Sequence, residues 1–109
     1  MRRNLVAEGK RWLKQAENDF DDAKFSLGGK RYHLACFLAQ QSAEKALKAY
    51  LYTMGEEELW THSVAELCAM AGRFDAEFRK IKQESSALDK YYVPTRYPNA
   101  LPGGVPSEA

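Results

Sequence analysis

At 109 residues, with a formal charge of +1 and a pI near 7.7, the chain is long enough for one domain with a modest core. It lacks the global basic field of a dedicated nucleic-acid binder, although local patches are still open to it. Its 45% hydrophobic and 28% charged residues are the balance of a soluble globular chain.

Cys36 and Cys68 are the two cysteines. With no CxxC and no Cys/His cluster, neither a disulfide framework nor a zinc site is expected. The acidic residues are dispersed along helix faces with no metal constellation, and no cofactor motif such as a P-loop or G-x-G-x-x-G occurs. No run approaches transmembrane length, and the basic start MRRNLVAEGKRW lacks the apolar core of a signal peptide. A cytoplasmic protein without membrane association is expected.

Taken in order, the first helix is expected from the N-cap Asn4 to Leu27. Trp12, Ala16, Phe20, Ala23 and Leu27 make its apolar stripe, and Lys10, Lys14, Glu17, Asp21 and Asp22 its polar face. Gly28-Gly29 ends it and permits a tight reversal, so the next helix must run antiparallel.

That second helix is expected over residues 30–54, stopped by Gly55. Ala35, Ala39, Ala43, Ala46 and Tyr50 recur along one face, and Leu34 to Ala39 is apolar on every side. The spacing places this first half at the centre of the bundle. Gln40, Gln41, Glu44, Lys45 and Lys48 return the second half to solvent, with Glu44 and Lys48 an i,i+4 pair of a few tenths of a kcal/mol. A phosphate-binding role for Lys45 or Lys48 competes with that simple solvated face.

An acidic loop follows, with Leu59 and Trp60 as anchors. Ser63-Val64-Ala65-Glu66 then has the form of a capping box, opening a short helix over residues 63–71 with Val64, Leu67, Cys68 and Ala71 inward. A fourth helix is expected over residues 75–92, its stripe Phe74, Phe78, Ile81, Ser85, Leu88 and Tyr92, halted by Pro94. Residues 93–109 form an irregular tail holding all four prolines. The whole is an all-α, up-and-down antiparallel bundle of four helices, with a fifth expected beyond residue 109.

Two histidines are present. His33 reads as part of a solvated helix start. His62 precedes the cap Ser63 and reads as a loop residue fixing the entry to the third helix, or as a general base. The stretch Asp89 to Pro98 combines Lys90 and Arg96 with Tyr91, Tyr92 and Tyr97. That composition can stack bases and grip phosphate, or it can close the bundle end.

Together the segments resemble a known family. Trp12 and Ala16 lie in the first helix, and Tyr32, Ala35-Cys36-Phe37, Ala39-Gln40-Gln41 and Ala43-Glu44-Lys45-Ala46-Leu47-Lys48-Ala49 follow in the second. His62-Ser63 with Leu67 comes next, and then Leu88-Asp89-Lys90-Tyr91-Tyr92 with Pro94-Thr95-Arg96-Tyr97-Pro98. Over nearly its whole length the chain resembles a small stand-alone prokaryotic HEPN domain. The resemblance implies a bundle of about five helices, commonly dimeric, genetically paired with a nucleotidyltransferase of the MNT type, and binding nucleotide or RNA.

It also implies, for many members, a metal-independent endoribonuclease of toxin–antitoxin or defence modules, with an arginine followed four to six residues later by a histidine. Arg96 matches that arginine. Leu101 stands at the shortest histidine spacing, with Pro102 and Gly103 beyond it. A leucine moves no proton, so the anion-binding half of the motif is kept and the acid–base half is not. The expected reading is a nucleotide- or RNA-phosphate-binding partner of a nucleotidyltransferase, with Arg96, Tyr97, Tyr92 and Lys48 as binding residues. Arg96 and His62 are the catalytic candidates of an alternative ribonuclease. A non-catalytic dimerisation partner is the third reading.

Overall fold

The computed structural model describes residues 3–93. Two long helices, α1 (Leu5–Gly28) and α2 (Tyr32–Thr53), form an antiparallel hairpin. α3 (Val64–Ala71) and α4 (Glu77–Ser86) fold back over one end of it, and a 3-10 turn (Ala87–Tyr91) returns the chain to α2. The described residues are all helical or loop, in the up-and-down order expected.

The hairpin's register is fixed by close contacts along its length. Near one end Gly9 lies against Ala49 and Thr53, and in the middle the Ser42 hydroxyl donates to the Ala16 carbonyl at 2.8 Å. Lys45 pairs with Asp19 at 2.7 Å one turn further on. Asn4 caps α1 as expected, its side chain accepting from the Ala7 amide at 3.0 Å.

The reversal between the helices differs from the glycine turn expected. Gly29 keeps negative φ, and the left-handed residue is Lys30, at φ 64°. Lys30 N–H donates to Leu27 and Arg31 N–H to Ser26, the double bond pattern of a Schellman cap, so α2 starts at Tyr32 rather than at residue 30. At the other end of α2 the same pattern uses Gly55 at φ 105°, with Gly55 and Glu56 amides on Tyr52 and Leu51.

The core sits at the second half of α2, which reverses the expectation for this helix. Leu47, Leu51 and Tyr52 pack with Leu59, Val64, Leu67, Cys68 and Ala71. In the first half only Ala35 is buried between Tyr32 and Ala39, and Ala46 is exposed. Phe20 and Leu27, placed in the α1 stripe, remain 53% and 57% exposed. With Tyr32, Cys36 and Leu88 they border an apolar groove of about 280 Å³. The reason is placement: α3 and α4 cover the far end of the hairpin, and among the described residues little comes back over this one.

Three further expectations are corrected. α4 buries no residue, and its stripe is only partly covered: Ile81 is exposed, while the Phe78 ring lies 4.7 Å from that of Tyr50, tilted by 46°. The expected helix to residue 92 tightens into the 3-10 turn after Ser86. Of the two loop anchors, Leu59 is buried, whereas Trp60 is 81% exposed.

Candidate functional site

The polar residues of α2's second half, expected in solvent, are mostly interior. Gln40, Glu44 and Lys48 lie one turn apart on a single face and are all buried. Lys48 Nζ donates to Glu44 Oε2 at 2.8 Å, and Gln40 Nε2 donates to Glu44 Oε1 at 3.0 Å. The Lys48 ammonium also lies 5.5 Å from the Trp12 ring centroid. A salt bridge this deep loses the solvation of both charges, so every lone pair and proton needs a partner. Lys48 is therefore engaged internally and is not presented as a surface cation. Lys45, half-buried with Asp19, is likewise committed.

The ladder reaches the surface through one residue. His62 Nδ1 lies 2.9 Å from Glu44 Oε2, and its backbone carbonyl accepts from Gln40 at 3.4 Å. Both ring and backbone of the loop histidine are thus held by α2. The ring is covered on one face by Tyr92, stacked at 4.7 Å between centroids and 12° between planes, and the side chain stays 51% exposed. These contacts hold the loop to α2, one of the two roles considered for His62, and they leave its side chain partly accessible. His33 is exposed at the start of α2, as expected.

Tyr92 reaches His62 because of Asp89. Its carboxylate accepts from the amides of Val64 and Ala65, the first residues of α3, and from the Ser63 hydroxyl at 2.9 Å. Ser63 Oγ in turn accepts from the Glu66 amide at 3.1 Å, the expected half of a capping box. A carboxylate at a helix N-terminus is favoured by the amides and by the helix dipole. Lys90 follows, its Nζ 5.2 Å from the Tyr91 ring centroid.

Of the residues singled out from the sequence, Tyr92, His62 and Lys48 are brought within one network, Lys48 as its buried end. Arg96, Tyr97 and Leu101 lie outside the described residues. Sequence reasoning passed over Gln40 and Glu44 as functional residues. The available signal was their i,i+4 spacing on the same face as Lys48 among alanines and leucines. Among the described residues no group of three or more His, Cys, Asp or Glu is placed to hold a metal ion.

The domain is thus a helical hairpin capped by two short helices. The HEPN domain family model matches residues 10–109. The fold recurs in the crystal structure of an archaeal HEPN homologue with a TM-score of 0.65 and 40% sequence identity, covering 90% of this chain and 70% of that one. None of the curated proteins matches the sequence. The chain belongs to the HEPN family, whose members are generally concerned with nucleotides and RNA. No helix among the described residues is long and apolar enough to cross a membrane.

Proposed function

We propose that the chain is a nucleotide- or RNA-phosphate-binding HEPN module whose ligand end is formed by His62, Tyr92 and the segment carrying Arg96 and Tyr97. The observation that carries this reading is the seating of His62, held from behind by buried Glu44 and stacked on Tyr92. Arg96 is four residues along the chain from Tyr92, so covalent geometry keeps the two α-carbons within about 14 Å. Arg96 is the arginine of the family motif that the sequence resembles, and an arginine can grip a phosphate while an imidazole and a tyrosine ring meet a base. Lys90, exposed in the same segment, adds a second cation.

The partner in this reading is an MNT-type nucleotidyltransferase within a toxin–antitoxin or defence module, and the working form in the cytoplasm is a homodimer. The exposed apolar groove beside Phe20, Leu27 and Tyr32 supports self-association, because a patch of this kind is a common interface.

The test is fluorescence anisotropy of a labelled single-stranded RNA with the full chain and with Arg96→Ala. Salt-dependent binding that weakens at least tenfold in the variant is expected. Equal binding by both proteins would remove Arg96 from the site.

A second reading, metal-independent RNA cleavage, is favoured by the same carboxylate–histidine pair. His62 would take the proton of a ribose 2′-hydroxyl as that oxygen bonds to the adjacent phosphorus. The 5′-oxygen would leave with a proton from water, and Arg96 would stabilise the phosphorane charge. Cleavage abolished in both His62→Ala and Arg96→Ala would establish this reading; intact RNA with the wild-type protein would leave binding as the function.

A further inference from the structure

We infer that Glu44 is a positioning residue for His62, fixing its neutral ring as the Nδ1–H form so that Nε2 faces outward as a proton acceptor. The inference deepens the ligand site proposed above and rests on that reading for its functional part.

Donor counting carries it. Glu44 Oε1 receives the Gln40 amide at 3.0 Å, and Oε2 receives the Lys48 ammonium at 2.8 Å. Both partners are donors, one of them an ammonium, and a carboxylate beside them offers only lone pairs. The same Oε2 faces His62 Nδ1 at 2.9 Å, and Nδ1 must therefore carry a hydrogen. A neutral imidazole has one N–H, which leaves the lone pair on Nε2. An unrestrained imidazole in water prefers the opposite form, so this tautomer is imposed by the protein.

The ring cannot easily turn to bring Cδ2 into the place of Nδ1. Gln40 holds the His62 carbonyl, and Tyr92 stacks on the ring face. Among the described residues Nε2 makes no hydrogen bond, and the side chain is half-exposed. An acceptor in that place, beside a stacking tyrosine, suits a ribose 2′-hydroxyl, which DNA lacks.

The first measurement needs no variant. A long-range proton–nitrogen spectrum of the full chain at about pH 8, above the ordinary histidine range, reads the tautomer directly. A pyrrole-type Nδ1 and a pyridine-type Nε2 on His62 are expected, and the reverse assignment overturns the inference.

The second measurement uses Glu44→Leu/Lys48→Met, which removes acceptor and ammonium together so that no charge is orphaned, with circular dichroism checking the helices. His62 is expected to revert toward Nε2–H; retention of Nδ1–H would overturn the role of Glu44.

The third compares oligouridine with oligodeoxyuridine of equal length. The wild type is expected to favour the ribose strand about tenfold, the worth of one good hydrogen bond. The preference should vanish in His62→Phe, which keeps a ring on Tyr92. An unchanged preference there would overturn the assignment of the 2′-hydroxyl to His62. Failure of the wild type to bind either strand would defeat the ligand reading, while the spectrum would still decide the tautomer.

Discussion

Asp89 and Ser63, 26 positions apart in sequence, meet at the N-terminus of α3, where the serine hydroxyl donates to the aspartate at 2.9 Å. Asp89 also accepts from the Val64 and Ala65 amides, so one side chain both caps a helix and moors the turn that carries Tyr92. Asp89→Ala leaves those amides to water and should lower stability by about 1–3 kcal/mol. Urea unfolding gives the magnitude. Hydrogen exchange at Val64 and Ala65 gives the location, and unaltered protection there would refute the mooring.

The buried and half-buried lysines of α2 should respond differently to the same change. Lys48→Met orphans the Glu44 carboxylate in the interior and should cost about 3–5 kcal/mol. Lys45→Met breaks a pair with Asp19 that is roughly one-fifth exposed at each side chain, and should cost about 1 kcal/mol or less. Thermal melts of the two variants decide this. Similar losses in both would mean that the ladder is more hydrated than its burial indicates.

Lys30 sits in the left-handed region without a glycine's freedom to do so. Lys30→Gly should stabilise the chain by about 1 kcal/mol by relieving that backbone, even though glycine gains entropy when unfolded. Moving the glycine to residue 30 is thus a stabilising substitution. A lower melting temperature would contradict it.

Gly9 allows the hairpin to close. A methyl group there would meet the Thr53 hydroxyl and stand 2.9 Å from the Ala49 carbonyl, which is backbone and cannot swing aside. Gly9→Ala should destabilise by about 1–3 kcal/mol. Adding Thr53→Ala should recover only part of the loss, because the carbonyl stays. Full recovery in the double variant would assign the contact to the side chain alone.

The apolar end of the hairpin gives an association test. Phe20→Glu places a charge beside Leu27 and Tyr32 without touching the ladder or the buried core. Sedimentation should change from dimer to monomer while the helical content stays constant. A wild-type protein that sediments as a monomer would refute self-association.

Much of the fold was legible in local pattern. Apolar residues at helical spacing gave the helices, Asn4 and Ser63 their starts, and Gly55 the stop of α2, because periodicity and caps act within a few residues. The turn between α1 and α2 is antiparallel as expected, but the left-handed residue is Lys30 and not a member of the glycine pair expected to permit the reversal. Which residue of a cap takes positive φ depends on the register of two bonds, to Leu27 and Ser26, and composition does not specify it.

The site was less legible. Gln40, Glu44 and Lys48 look like a solvent face when α2 is considered alone, since the pattern of one helix cannot say what covers it. Burial was decided by the loop at His62 and by α1 at Trp12, both distant in sequence. The same holds for the apolar end, where Leu34 to Ala39 promised a centre and the tertiary arrangement put the core one half-helix further on.

By itself the sequence determined an all-helical chain with an antiparallel first pair, and a family resemblance that the family match and the archaeal structure bear out. Those properties reside in spacing, caps and residue identity. The tertiary structure alone decided that Glu44 stands behind His62, that Lys48 is spent inside, and that Asp89 brings Tyr92 onto the imidazole. Each of these joins residues far apart in the chain, and such contacts exist only once the helices have packed.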